Sequence, residues 1–103
     1  MARKPITVQV GLPLFIWKEE DQFVAFTPAL DLSTCGESQN SAISNFSEAV
    51  ELFFETALER ETLRELLESL GWRFEENSWI PSSQAIKGSR TFSAKVPLPE
   101  IRH

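Results

Sequence analysis

Few side chains in this 103-residue sequence have the chemistry of a catalytic or metal-binding group. Cys35 is the only cysteine, and the only histidine is His103, the last residue. A reactive thiol needs a base or a cation close by, and no histidine or lysine lies near Cys35 in the sequence. We therefore expect Cys35 to be a half-buried small side chain and His103 to be a frayed terminal residue.

Carboxylates are the remaining candidates for catalysis. A metal-dependent nuclease needs several carboxylates that converge from strands and a helix on two Mg²⁺ ions. Here Glu19, Glu20 and Asp21 fall in a polar turn, Asp31 and Glu37 fall in loops, and no predicted strand contains a carboxylate. The sequence therefore predicts no catalytic residue, no metal site and no cofactor. A weak nuclease is the least favoured alternative.

The charge of the chain is unevenly distributed. Residues 1–76 contain 14 acidic and 6 basic residues, a balance of −8, whereas residues 77–103 contain four basic residues and one acidic residue, a balance of +3. An acidic body disfavours binding to nucleic acid and favours a basic protein partner. The basic tail could lie on its own body, lie on a second subunit or stay solvated.

The composition predicts a single cytoplasmic domain over residues 1–103, with its core in about 6–70 and a C-terminal extension over 71–103. A chain of this length with 42% hydrophobic residues can bury one core without a disulfide or a metal. A lone cysteine favours a reducing compartment. The N-terminal stretch alternates instead of forming an apolar run, so we expect neither a signal peptide nor a membrane span.

Hydrophobic residues that recur every second position predict strands in the first third of the chain. Ile6, Val8 and Val10 begin the first strand, and we expect Gly11 and Pro13 to interrupt it. The pattern then predicts an extended segment over 14–17, a turn over 18–22, a return strand over 23–27 and a third strand over 32–35.

After Ser38, a good N-cap residue, the hydrophobic residues recur with a period of 3.6. This spacing predicts a helix over about 39–58. Its predicted buried stripe consists of Ala42, Phe46, Ala49, Val50, Phe53 and Ala57. Thr62 and Glu65 have the spacing of a capping box for a short helix over about 62–70, which Gly71 would end. Whether the two helices are separate is left open. Short strands around a turn at 75–77, a loop over 81–90 and a last strand over 91–96 complete the prediction.

The chain resembles the HicB antitoxin family over about residues 12–56. The resemblance is carried by the segment 23–32 (FVAFTPALDL), by Cys35-Gly-Glu-Ser38, and by Ala42, Asn45, Glu48-Ala49 and 51–55 (ELFFE) of the helix. It implies an α+β fold that is partly ribonuclease-H-like, with a small antiparallel sheet crossed by one long helix. It also implies homodimers or higher homo-oligomers, and binding to a small basic HicA toxin that cleaves mRNA.

This sequence differs from the family pattern in two places. The loop after Pro28-Ala-Leu30 reads Asp31-Leu-Ser-Thr, so Cys35 does not correspond to the cysteine common in the family. The residues after Leu70 leave no room for the C-terminal DNA-binding module of many members, so we do not expect direct DNA binding. An orphan dimeric scaffold or regulator without a toxin is therefore the main alternative to an antitoxin.

The predicted partner contact is the acidic turn with two neighbours, namely Trp17, Glu19, Glu20, Asp21 and Asp31. Carboxylates there would attract a basic partner and accelerate encounter. The competing interpretation is that Trp17 packs beneath the helix as an ordinary core residue.

Overall fold

The computed structural model of the chain describes residues 6–82 and 88–99. In order, its elements are β1 (Thr7–Glu19), β2 (Gln22–Thr27), β3 (Leu32–Gly36), α1 (Gln39–Glu59), α2 (Leu63–Ser69), β4 (Arg73–Glu75), β5 (Ser78–Ile80) and β6 (Arg90–Pro97). Four strands form an antiparallel sheet in the order β3-β2-β1-β6, and β4 and β5 form a separate hairpin. The predicted α+β class is confirmed.

The predicted interruption at Gly11 and Pro13 is wrong, because β1 is one continuous strand of 13 residues. Its first part pairs with β6 as far as Leu14, and its second part pairs with β2 from Phe15 onward. Proline lacks an amide donor and is tolerated where a strand needs no ladder bond on one side. Pro13 opposes Thr91 of β6 just before the β2 pairs begin.

Helix α1 begins as predicted at the N-cap Ser38, whose hydroxyl accepts the amide of Ser41 at 3.1 Å. Its buried residues are Ala42, Phe46, Val50, Phe54 and Ala57. The predicted stripe is wrong at two positions. Ala49 is only half-buried, and Phe54 is the buried ring whereas Phe53 packs against the edge of the core. Steps of four residues along α1 favour Phe54, and the two neighbouring rings cannot both face the sheet.

The two helices are separate. The amides of Glu61 and Thr62 donate to the carbonyls of Leu58 and Ala57, and Glu61 has a left-handed φ of 55°. This is a Schellman motif, which ends α1. Gly71, with a φ of 91°, ends α2 as predicted. The predicted capping box of α2 is wrong, because Thr62 makes no side-chain capping bond.

Two of the three tryptophans anchor the C-terminal elements to the sheet. The indole N–H of Trp72 donates to the carbonyl of Ala29 at 2.8 Å, and that of Trp79 donates to the carbonyl of Pro97 at 2.9 Å. Both rings are buried in the single core cluster. The β4–β5 hairpin and β6 confirm the predicted strands. Residues 83–87, which are half of the predicted 81–90 loop, and His103 lie outside the described residues.

Candidate functional site

The acidic turn, defined as Glu19, Glu20 and Asp21, joins β1 to β2. Glu19 pairs with Gln22 as the last pair of the hairpin, so Glu20 and Asp21 form its tip. All three side chains are exposed, and the ion pairs between described residues, Arg64–Glu68 and Arg73–Glu75, lie elsewhere. Within the described part of the chain these carboxylates thus have no cationic partner, and their charge faces solvent.

The strand register fixes which side of the sheet each side chain faces. The hydroxyl of Thr34 donates to the carbonyl of Ala42 at 3.0 Å, so Thr34 points toward α1. Its register partner Ala25 is fully buried on the same side. Side chains alternate along a strand, so Val24 and Cys35 point to the opposite face.

Trp17 lies on that opposite face. It pairs with Val24, and its ring contacts the ring of Phe26 edge-on with centroids 6.4 Å apart. Its exposed fraction is 43%, whereas Trp72 and Trp79 are almost completely buried. The alternative that Trp17 packs beneath the helix is therefore wrong.

Phe15, Trp17, Val24 and Phe26 together form a cluster that we call the apolar patch. They make two adjacent cross-strand pairs, Phe15 with Phe26 and Trp17 with Val24. Trp17 is exposed and the other three are half-buried. Cys35, which pairs with Val24, continues the Trp17 row across β3 and is exposed, so the expectation that it is half-buried is wrong.

The apolar patch and the acidic turn form one continuous surface. An open depression of about 550 Å³ is lined by the acidic turn together with Gln22 and Val24. Val24 belongs to the apolar patch, so the depression meets the patch at this residue. A partner that fills the depression and extends over Val24 would reach the aromatic rings beside it.

Asp31 is not part of this surface. It lies in the turn between β2 and β3, where its amide donates to the carbonyl of Pro28 at 3.3 Å. The acidic turn lies at the other end of β2, a strand of 6 residues. At about 3.3 Å per residue, the two sites are roughly 20 Å apart. The structure thus groups Trp17 with the acidic turn and separates Asp31 from both.

Asn45 has a role that its position on α1 does not suggest. Its side-chain amide donates to the carbonyl of Cys35 at 2.9 Å, which ties the first half of α1 to β3. This bond satisfies a backbone acceptor on the terminal strand of the sheet. Glu48 is exposed on the same helix.

Sequence reasoning missed Phe15, Val24 and Phe26 as surface residues. The segments that contain them are almost continuously apolar, so the alternation that separates the two faces is hidden. The small residues of the strands could have identified the two faces. Ala25 and Gly36 lie where α1 approaches closely, so they mark the covered face, and their neighbours along each strand point to the opposite one.

Two further observations concern residues 6–82 and 88–99. No group of three or more His, Cys, Asp or Glu side chains within them is arranged to hold a metal ion. No helix within them combines the length and apolar character required to cross a bilayer.

No protein-family description, curated protein or solved structure matches this chain.

Proposed function

We propose that this chain is a HicB-like antitoxin, a cytoplasmic protein-binding module that occludes a small basic HicA-type toxin and so blocks its cleavage of mRNA. The observation that carries the proposal is the exposed Trp17 beside the acidic turn, whose three carboxylates have no cationic partner among the described residues. Support also comes from the resemblance of residues 12–56 to the HicB family. The role is one of binding, without catalysis by this chain.

The physical reason is competition for the same basic surface. A protein that binds RNA places lysine and arginine against phosphates. Carboxylates presented on a rigid hairpin can engage those cations and mainly increase the rate of encounter. Tryptophan is the residue type that most often dominates binding energy in the centre of an interface. Bound in this way, the antitoxin would exclude RNA from the toxin by covering the surface that RNA needs.

The first test is genomic, because the proposal requires a short basic protein encoded beside this chain, and the absence of one favours an orphan domain. The second test measures the cleavage of RNA by that neighbouring basic protein. We expect cleavage to fall linearly with added antitoxin and to stop at a fixed molar ratio, because occlusion is stoichiometric. Phe54→Asp, which should not fold, is the matched negative control. Undiminished cleavage at excess antitoxin would reject the proposal. RNA cleavage by this chain alone, dependent on Mg²⁺, would instead identify a nuclease.

A second candidate is an orphan dimeric scaffold. The observation that favours it is the position of β6, a strand of 8 residues at the end of the sheet order, since a terminal strand offers backbone groups to another chain. Sedimentation of the purified chain measures its assembly. A dimer that leaves the neighbouring basic protein fully active supports the scaffold and contradicts the antitoxin.

A further inference from the structure

We infer that the partner docks on the sheet face opposite α1, with the apolar patch as the centre of the contact and the acidic turn as its charged edge. The inference rests on the proposed function, which it deepens by naming the surface and the chemistry of the occupant. That occupant is a basic protein that presents apolar side chains surrounded by lysine and arginine.

The apolar patch has the composition of an interface centre. Phe15, Trp17 and Phe26 are aromatic, and the edge-on contact of Trp17 with Phe26 holds the tryptophan ring in place before any partner arrives. A preorganised aromatic side chain loses little conformational entropy on binding. The covered face of the same sheet already supplies the core, so these rings are not needed to complete it.

Charge selects a basic partner over a second copy of this chain. The acidic turn places three carboxylates at the edge of the apolar patch, and the whole chain has a net charge of −5. Two copies that approach through this face bring like charges together, which disfavours their association. A basic protein is attracted by the same charges, and the depression between the acidic turn and Val24 can accept a long cationic side chain.

Cys35 provides a probe that is already part of the molecule. It is the only cysteine of the chain, it is exposed, and it lies in one cross-strand row with Trp17 and Val24. A partner centred on the apolar patch must therefore reduce the access of a thiol reagent to Cys35. A partner that binds α1 instead leaves this thiol unchanged.

The experiment measures the rate of maleimide labelling of Cys35 with and without a catalytically inactive form of the basic toxin that the proposed function requires. We expect the toxin to slow labelling at least tenfold at saturation. The matched control is the double variant Cys35→Ser with Ser44→Cys, which moves the thiol to an exposed position on α1. Its labelling should be the same with and without the toxin.

Substitutions test the same surface by affinity. Trp17→Ser should weaken binding of the inactive toxin by roughly tenfold or more, as for an aromatic residue in an interface centre. Leu52→Ser is the control, because Leu52 is a large apolar residue on α1 that is 62% exposed. Val24→Thr is the second variant, for use where Trp17→Ser perturbs folding. It preserves side-chain shape and strand propensity, and it should also weaken binding of the inactive toxin.

The outcomes test the docking surface and the proposed function separately. Toxin binding that shields Cys35 and is weakened by Trp17→Ser and Val24→Thr, but not by Leu52→Ser, supports the inference. Toxin binding that leaves Cys35 labelling and both variants unchanged overturns the surface and leaves the proposed function standing. Shielding of Cys35 by the chain itself at high concentration assigns the face to a second copy and overturns the inference. Failure of the wild-type chain to bind the toxin rejects both.

Discussion

The two faces of the same four-stranded sheet differ in what covers them. On one face, small or apolar residues such as Leu12, Ala25 and Val96 are fully buried beneath α1 and the elements that follow it. On the other, Pro13 is fully buried, but Trp17 is exposed and Phe15, Val24 and Phe26 are only half-buried. Hydrophobicity alone therefore does not distinguish a residue that stabilises the fold from one that is available for recognition. Where β1 pairs with β2, the face to which the side chain points makes that distinction.

The close approach of α1 depends on the absence of side chains on the covered face. Ala25 and Ala42 are both completely buried, and Gly36 lies against the first turn of the helix. The opposite face of the β1–β2 hairpin has the larger side chains of Phe15, Trp17 and Phe26 instead. The difference between the faces is therefore encoded by small residues as much as by large ones.

The largest expected effect is the loss of folding when a charge enters the covered face. Phe54→Asp removes a ring that is 4% exposed and leaves a carboxylate without a partner in the core. We expect it to cost about 4 kcal/mol or more, which is enough to unfold a typical domain at 25 °C. Thermal unfolding followed by circular dichroism measures it.

Phe53→Asp is the comparison within the same helix. Phe53 is half-buried at the margin of the core, so its carboxylate can reach water and the variant should remain folded with a lower melting temperature. Equal destabilisation by the two substitutions would show that Phe53 belongs to the buried side of α1 as much as Phe54 does.

A smaller effect is expected from a single methyl group at the contact between sheet and helix. A Cβ at Gly36 would lie 2.6 Å from the backbone nitrogen of Ala42, which cannot move without shifting α1. Gly36→Ala should therefore cost about 1–3 kcal/mol, measured by denaturant unfolding.

Gly11→Ala is the control for the opposite face. Its Cβ would lie 2.9 Å from a methyl group of Thr91, a side chain that can rotate away. We expect a clearly smaller loss of stability than for Gly36→Ala. Equal losses would mean that the two faces tolerate an added methyl group equally well.

The smallest effect on stability is expected at the acidic turn. Glu20→Lys changes an exposed side chain and should alter the free energy of unfolding by no more than about 0.5 kcal/mol. It should nevertheless slow association with the basic toxin, most strongly at low salt, because it weakens electrostatic steering. Stopped-flow association at two salt concentrations measures this change.

Glu51→Lys makes the same charge change on the exposed side of α1. It should slow association less than Glu20→Lys does. If the two variants behave alike, only the net charge matters, and the acidic turn has no special place in the encounter.

Local sequence patterns were sufficient to predict the elements whose stabilising interactions are local. The hairpin of β1 and β2, the cap at Ser38 and the stop at Gly71 each depend on residues within a few positions, and all three are confirmed. The strand order around β1 depends on pairing with β6, some 90 residues later, which no local pattern contains. The continuity of β1 through Pro13 follows from that pairing and was therefore missed.

Only part of the candidate site could be predicted from the sequence, for a similar reason. The charges of the acidic turn are visible in the sequence, and the structure places Trp17 beside them. The sequence did not show that Asp31 lies apart from the acidic turn. The two are close in sequence, but β2 extends between them and places them roughly 20 Å apart. The apolar patch could not be predicted either, because its members are identified only by the strand register and by which face α1 covers.

The pairing of β1 with β6 joins strands that are synthesised far apart in time. Contacts between residues so distant along the chain are slow to form. Until β6 has been synthesised, Val10 and Leu12 lack the strand that pairs with their own, although both are buried in the folded protein. We therefore expect this sheet to become resistant to proteases only after β6 has left the ribosome.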